Sequence, residues 1–187
     1  TDVIGVDGFR FDLATALFKD ESARHSSLFA AITAEPVLRD RKMIAEPWDV
    51  TRYGLGEFSY PWREWNDFFR DSVRQFWLGD LARGYGEGVS DIASAISGSS
   101  GIFYHRGPTA SINFITAHDG FTLRDLVSYN EKHNELNLED NRDGHSSNKS
   151  WNVGTEGETD DLGIQHIRQS LKKSMAATLL LSAGVPM

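Results

Sequence analysis

The sequence predicts an α/β protein built on a parallel β-sheet. Short apolar runs that are typical of strands alternate with segments of helical periodicity along the 187 residues, and this alternation is the pattern of β/α units. The composition is that of a folded protein, because 40% of the residues are hydrophobic and 25% are charged. A chain of this length can bury the core of one domain.

Two strands and two helices are predicted in the first half of the chain. Apolar runs predict strands over 5–11 and 42–45, and a helical pattern over 26–34 lies between them. The clearest helical pattern covers 62–78, where aromatic and aliphatic residues recur at steps of three or four. These residues are Trp65, Phe69, Val73 and Phe76.

The second half repeats the alternation and adds one long loop. Helices are predicted over 89–96, 122–129 and 162–181, and a strand over 111–117. Residues 130–160 are rich in Asn, Asp, Glu, Gly and Ser and have no apolar period, so they are predicted to form a loop. Loops of this length inside a compact domain are often functional. No strand is predicted between residues 78 and 111.

The stretch GVDGFRFDLATAL at 5–17 places charged residues in a strand that otherwise looks buried. Side chains in a strand alternate between two faces, so Arg10 and Asp12 are expected to share one face. Asp12 could also be a helix N-cap, because apolar helical positions follow it. That alternative leaves Arg10 unexplained.

Acidic residues follow three of the predicted strands, namely Asp12, Glu46 and Asp119. The carboxyl ends of parallel strands meet at one edge of a sheet, so the three carboxylates are expected to converge, together with Arg10 and His118. Taken singly, each acid has a simpler explanation as a helix cap or an exposed residue. Crowded carboxylates raise one another's pKa, which lets one act as an acid while another stays ionised. Glycoside hydrolysis requires this division of roles.

Composition excludes several other classes. The net charge of −8, without a cluster of Lys and Arg, argues against nucleic acid as a partner. The longest apolar run is too short to span a membrane. The segment EDNRDG resembles a calcium loop, but Ser150 stands where the loop needs a glutamate. The histidines show no spacing typical of zinc ligands. The sequence therefore predicts no metal site and no cofactor.

Three segments resemble successive signature motifs of the alpha-amylase superfamily: GVDGFRFDLA, AEPWD and FITAHDGFTLRDLVSYNEKHNE. The later segments, with NRDG and WNVGTEGETDD, are similar to bacterial glycogen-debranching enzymes of the isoamylase type. The resemblance implies a (β/α)8 TIM barrel and retaining cleavage of α-1,6 branch points in glycogen or limit dextrins. Residues 1–187 would form one catalytic domain, roughly the C-terminal half of the barrel, truncated at both ends.

The resemblance also implies a role for each acid. Asp12 matches the nucleophile, Glu46 the general acid/base, and Asp119 the carboxylate that holds sugar hydroxyls and stabilises the transition state. Retention of configuration requires the Asp12 and Glu46 carboxyls to lie about 5 to 5.5 Å apart, whereas inversion requires roughly 6.5 to 9.5 Å.

Further residues follow from the same motifs. Arg10 would keep Asp12 ionised, and His118 would hydrogen-bond the sugar at the subsite of cleavage. Trp48 could offer its ring to a sugar face, although an aromatic residue after a strand is as often part of the packing. Asp7 matches a structural position.

Two alternatives to a debranching hydrolase stay open. A branching enzyme would have the same fold and transfer the glycosyl unit to a sugar rather than to water. An isolated fragment could also bind glucan without catalysis. Exposed barrel edges would favour self-association of this chain. The expected partner is a branched α-glucan, and the resemblance implies a cytoplasmic location.

Overall fold

The computed structural model describes residues 4–18, 26–80, 84 and 88–187. The chain divides into two compact units. The first comprises the chain up to Asn66 together with Ser97–Asn113 and Ala183–Met187, and the second comprises Asp67–Ile96 and Phe114–Ser182. The prediction that residues 1–187 form one barrel domain stays a prediction.

The first unit contains a parallel β-sheet of five strands among the described residues. The strands lie side by side in chain order, and each pairs in parallel with the next. They are β1 (Gly8–Phe11), β2 (Lys42–Ala45), β3 (Arg63–Asn66), β4 (Ser111–Asn113) and β5 (Val185–Pro186). The prediction of an α/β fold with a parallel sheet is confirmed, and closure into a barrel stays a prediction.

The α-helices of the described residues are distributed over both units. The first and fourth of them belong to the first unit, and the others to the second. In chain order they are α1 (Ser27–Ala34), α2 (Asp67–Arg74), α3 (Val89–Ile96), α4 (Ser100–Phe103) and α5 (Leu162–Leu181). Helix α2 continues as a π-helical turn over Gln75–Asp80, and short 3-10 turns occupy Ala14–Phe18, Pro108–Ala110, Asp125–Val127 and Glu135–Asn137.

The core of the first unit lies on one face of the sheet, where α1 packs. Met43 and Ala45 of β2 point to this face, because side chains in a strand alternate. Phe29 of α1 contributes an aromatic ring whose centroid lies 4.6 Å from that of Trp62 and 5.4 Å from that of Phe58. The opposite face of β2 is thereby left for other side chains.

The second unit has a core of its own, formed by helices. Phe69 and Val73 of α2 pack with Ile92 of α3 and with Leu171 and Met175 of α5. The residues of α2 are those of the predicted apolar stripe, and their burial confirms that part of the pattern. Helices α3 and α5 match the predicted ranges 89–96 and 162–181.

The predicted helix over 62–78 is wrong in its first part. Arg63–Asn66 is strand β3, hydrogen-bonded between β2 and β4, and the helix begins only at Asp67. Buried aromatic residues suit a strand as well as a helix, so pairing with the two neighbouring strands decides the structure. Among the described residues between 78 and 111 there is no strand before Ser111, as the sequence predicted.

Other boundaries differ from the predictions. The first strand is shorter than 5–11, and Phe9 and Arg10 are exposed because β1 is an end strand of the described sheet. The strand predicted over 111–117 ends at Asn113. The helix predicted over 122–129 is only the 3-10 turn Asp125–Val127, where Thr122 and Asp125 bond each other instead of continuing a helix.

The loop predicted over 130–160 is confirmed, with one 3-10 turn, Glu135–Asn137, inside it.

In the described part of the chain no helix is long and apolar enough to cross a membrane.

Candidate active site

The carboxyl ends of β1 and β2 place Asp12 and Glu46 next to each other. Arg10 pairs with Ile44 and Phe11 with Ala45, so the residue after each strand lies at the same level of the sheet. The amide of Glu46 continues the ladder by donating to the carbonyl oxygen of Phe11 at 3.0 Å. Strand register therefore brings two acids together that are 34 positions apart in the sequence.

Arg10 joins the two acidic side chains. Its Nη1 lies 2.8 Å from Oδ1 of Asp12, and its Nη2 lies 3.1 Å from Oε2 of Glu46. The Asp12 side chain is 68% exposed, whereas the Glu46 side chain is only 7% exposed. One cation thus contacts one carboxyl that is open to solvent and one that is buried.

The turn after β1 is also bound to Glu46. Leu13 adopts a left-handed backbone conformation with φ of +43°, which is unfavourable for a residue with a side chain. Its amide donates to Oε2 of Glu46 at 2.7 Å, and the amide of Ala14 donates to the Glu46 carbonyl oxygen at 2.9 Å. The amides that open the 3-10 turn therefore bind Glu46 rather than Asp12, which argues against the helix-cap explanation of Asp12.

Burial raises the pKa of the Glu46 carboxyl above its ordinary value. The Leu13 amide and the Arg10 charge act in the opposite direction, and Asp12 adds to the increase through its charge and a hydrogen bond between the two carboxyls. The net effect favours the protonated form of Glu46. A protonated carboxylic acid beside a solvent-exposed aspartate is the pairing that acid-assisted displacement needs.

Trp48 lies in the loop after β2. It forms an isolated antiparallel bridge with Tyr53, and its side chain is half-buried. Asp49 fixes this loop by accepting hydrogen bonds from Thr51 and, at 2.7 Å, from the hydroxyl of Thr15. Contact of Trp48 with a sugar stays a prediction.

In the second unit, His118 and Asp119 line a cavity of about 460 Å³. Both side chains are exposed, and the cavity is bordered by aromatic and polar residues of the loop that follows. Tyr129 and His133 stand with ring centroids 5.5 Å apart in this lining. The convergence of Asp119 and His118 with Asp12 and Glu46 stays a prediction.

Two buried arginines of α2, Arg70 and Arg74, lie close enough to Asp119 to feel its charge, and the sequence-based predictions did not include them. Arg74 donates to the carbonyl oxygens of Ile115 at 2.8 Å and Asn148 at 3.1 Å. Burial, together with the charge of Arg70, lowers the pKa of Arg74 to about 10, while the charge of Asp119 partly opposes this. The available signal was that both arginines directly follow residues of the apolar stripe, where an exposed charge is not expected.

Hydrogen bonds within the loop hold in place the residues that line the cavity. Lys132 donates through Nζ to the carbonyl oxygen of Asp143 at 3.0 Å, and Asn134 donates to the same oxygen at 3.2 Å. Buried Asn148 accepts from the amide of Phe121 at 3.0 Å. These contacts tie the loop to the segment that carries Asp119.

Glu156 binds the beginning and the end of the loop together. Its carboxylate accepts from the amide of Asn130 at 2.9 Å, from the side chain of Asn152 at 2.9 Å and from the ring of His133 at 3.1 Å. Burial alone would raise the pKa of Glu156, but these hydrogen bonds lower it to about 2. Glu156 is therefore ionised at neutral pH.

The described residues contain no group of three or more His, Asp or Glu side chains that could hold a metal ion. Hydrogen bonds and ion pairs of the chain itself account for the geometry around Glu46.

The fold and the site together define an α/β protein with a parallel sheet, in which an arginine links two acids at the ends of adjacent strands. No protein-family model matches the chain. Its sequence is 50% identical, over 97% of the chain, to a protein of Mycobacterium tuberculosis (strain CDC 1551 / Oshkosh) named glycogen operon protein GlgX homolog.

Two similar proteins are named glycogen debranching enzyme. The chain is 50% identical to that of Erwinia tasmaniensis over 97% of its length, and 48% identical to that of Yersinia enterocolitica over its whole length. The resemblance to bacterial glycogen-debranching enzymes is thereby confirmed. The chain spans about a quarter of each relative, 25% of the mycobacterial protein and 28% of the other two.

Proposed function

We propose that this chain carries the catalytic carboxylates of a retaining glycoside hydrolase that cleaves α-1,6 branch points of glycogen or related limit dextrins. The observation that carries the proposal is the guanidinium of Arg10, which contacts both the exposed Asp12 and the buried Glu46. Similarity to proteins named glycogen debranching enzyme supports the substrate class. The chain would form part of a (β/α)8 barrel in the full-length enzyme.

In the first chemical step, Glu46 donates its proton to the glycosidic oxygen while Asp12 attacks the anomeric carbon. The bond between that carbon and the glycosidic oxygen breaks, and a covalent bond to Asp12 forms. In the second step, the ionised Glu46 takes a proton from water, whose oxygen displaces Asp12 from the sugar. The raised pKa of Glu46 supports its role as the acid.

The closeness of the two acids supports the retaining mechanism. Both contact one guanidinium, and Asp12 is close enough to raise the pKa of Glu46. Inversion needs room for a water molecule and a separation of roughly 6.5 to 9.5 Å between the carboxyls. Contact of both acids with one guanidinium supports the shorter separation, about 5 to 5.5 Å, that retention needs.

Asp119 and His118 would bind the sugar at the point of cleavage. Their position in a cavity lined by hydroxyl, amide and aromatic groups supports this role, because sugars present hydroxyls at their edges and apolar faces to rings. The buried arginines of α2 would keep this region positively charged close to Asp119.

Release of reducing ends from a branched limit dextrin and from linear amylose tests the proposal. We expect the full-length enzyme to release them from the branched substrate only, and Glu46→Gln to reduce the rate by at least roughly a hundredfold. Glu57→Gln, an acid outside the site that pairs with Arg52, is the matched control and should retain the rate. A variant of Glu46 with full activity would refute the assignment.

The same assay separates the alternative functions. A branching enzyme would leave the number of reducing ends nearly unchanged while it alters chain lengths. Activity of the full-length protein without activity of residues 1–187 would mean that the chain needs the remainder of its barrel. Absence of activity in both would reject the proposed function.

We further propose that the enzyme acts in the cytoplasm, as its resemblance to glycogen-debranching enzymes implies.

We also propose that the isolated chain self-associates through its end strands. Strands β1 and β5 each pair on one side only in the described sheet. Unpaired strand edges bind other strands. Gel filtration should show a dimer or larger species for residues 1–187, and a monomer at all concentrations would contradict self-association.

A further inference from the structure

Trp65 of β3 lies under the arginine that links the two acids. The Cζ atom of Arg10 stands 4.0 Å from the centre of the indole ring. Trp65 is buried, with 7% of its surface exposed. A guanidinium at this distance from the face of a tryptophan forms a cation–π contact, and Trp provides the strongest such contact among the aromatic residues.

Sheet register explains how residues from β1 and β3 meet. Arg10 pairs with Ile44 on β2, and Ile44 pairs with Arg63 on β3. Paired residues in adjacent strands project to the same side, and Trp65 lies two positions after Arg63, so it projects to that side too. The core with α1 occupies the opposite side, which contains Met43 and Ala45.

The contacts of Arg10 hold its guanidinium in two different directions. Asp12 and Glu46 bind the edge of the guanidinium plane, because its N–H groups lie in that plane. An edge contact leaves the plane free to tilt about the line between the two carboxyls. Trp65 contacts the face of the plane and removes this freedom.

We propose that Trp65 is a positioning residue that fixes the guanidinium of Arg10 between Asp12 and Glu46. The positioning itself depends only on the geometry of the first unit, and its catalytic consequence rests on the proposed function. Without the indole face, the Arg10 side chain, which is 28% exposed, gains access to solvent and spends less time on the two acids. Glu46 then loses part of the charge that opposes its protonation.

Nuclear magnetic resonance of residues 1–187 tests the positioning directly. The ring current of the indole is expected to shift the Nε–H resonance of Arg10, which stands over the ring, and the carboxyl carbon of Glu46 reports its titration. In Trp65→Leu we expect the Arg10 resonance to move toward its solvent position and the midpoint of the Glu46 titration to rise, because Arg10 lowers the Glu46 pKa. Trp65→Phe retains an aromatic face and should give intermediate values for both.

Trp62→Leu is the matched control. Trp62 is a buried tryptophan that packs on the α1 side of the sheet, so its replacement removes a similar volume without removing the contact with Arg10. It should leave both resonances unchanged. If Trp65→Leu does not fold, the comparison of Trp65→Phe with Trp62→Phe decides in the same way.

The proposal is overturned if Arg10 and Glu46 keep their signals in both Trp65 variants, or if the Trp62 control moves them equally. In the active full-length enzyme, Trp65→Leu should lower kcat roughly fivefold and leave KM near its original value. Trp65→Phe should restore part of the lost kcat. A protein without glycosidase activity would reject the proposed function, and the resonances would still decide the role of Trp65.

Discussion

Glu64 and Arg106 form an ion pair in the interior of the first unit, where their side chains are 0% and 4% exposed. The other carboxylate oxygen of Glu64 accepts from the amide of Gly56 at 2.6 Å. Burial raises the pKa of Glu64 from 4.5 to about 6, although Arg106 and the Gly56 amide lower it. The folded chain therefore binds this proton more tightly than the unfolded chain does.

This pair predicts a loss of stability with rising pH. A folded pKa above the unfolded value means that the contribution is present below pH 4.5 and is lost as pH rises toward 6 and beyond. The free energy of unfolding of the wild type, relative to Glu64→Gln, should fall by about 2 kcal/mol between pH 4.5 and 7. Urea unfolding at a series of pH values measures this difference.

Glu57→Gln is the control for the Glu64 measurement, because Glu57 is a partly exposed acid of the same unit. The fall in stability with pH should be specific to the comparison with Glu64→Gln, because Glu64 is the buried acid of the two. A wild-type advantage over Glu64→Gln that grows with pH would contradict the prediction.

Glu156 should control the mobility of the loop that borders the cavity. Glu156→Gln removes the charge that accepts the amide hydrogen bonds of Asn130 and Glu131. We expect these two amides to exchange with solvent at least roughly fivefold faster in the variant, as hydrogen exchange by mass spectrometry or NMR can measure. Glu158→Gln, an exposed acid that pairs with Arg124, should not change them.

The pH dependence of the same contact has the opposite sign from that of Glu64. The pKa of Glu156 is lowered from 4.5 to about 2, so its contribution to stability is present above pH 4.5 and is lost as pH falls toward 2. Protection of Asn130 should decline over this acidic range in the wild type. Constant protection down to pH 2 would mean that the carboxylate does not hold the loop.

Local patterns predicted the elements whose structure depends on neighbours in sequence. Strand β2 and helices α3 and α5 occupy the ranges that apolar runs and helical periodicity indicate. Strand β3 was predicted as helix, because Trp65 fits a helical period that continues into α2. Its conformation is decided by hydrogen bonds to β2 and β4, which local periodicity does not contain.

The contacts of the candidate site are of the same two kinds: some follow from the local sequence, and others depend on how strands pair. The alternation of side chains in one strand was enough to expect Arg10 and Asp12 on one face, and the structure joins them at 2.8 Å. The contact of Arg10 with Glu46 depends on the register of two strands, and the contact with Trp65 depends on three. Such distances are set by pairing rather than by spacing along the chain.

Arg168 of α5 should stabilise the turn at 152–157 through its planar donor group. It is buried and donates to the carbonyl oxygens of Gly157 at 2.7 Å, Asn152 at 2.8 Å and Thr155. Lysine keeps the charge, but its single nitrogen cannot occupy the positions of both guanidinium nitrogens that bind these carbonyls. Arg168→Lys should lower the free energy of unfolding by roughly 2 kcal/mol in urea titrations.

Arg142→Lys provides the comparison for Arg168, since Arg142 is an exposed arginine of the same unit. It should change the free energy of unfolding by less than about 0.5 kcal/mol. Equal effects of the two substitutions would show that the three carbonyl contacts do not stabilise the turn.

The left-handed conformation of Leu13 predicts an inverted order of glycine and alanine at this position. Both substitutions remove the side chain, but only glycine adopts a φ of +43° without strain. Leu13→Gly should therefore be more stable than Leu13→Ala by about 1 kcal/mol in urea unfolding. At Leu17, an exposed residue of the following 3-10 turn, alanine should be the more stable of the two. Leu13 donates its amide to Glu46, so a normal order at Leu13 would mean that the turn holding this acid is not strained.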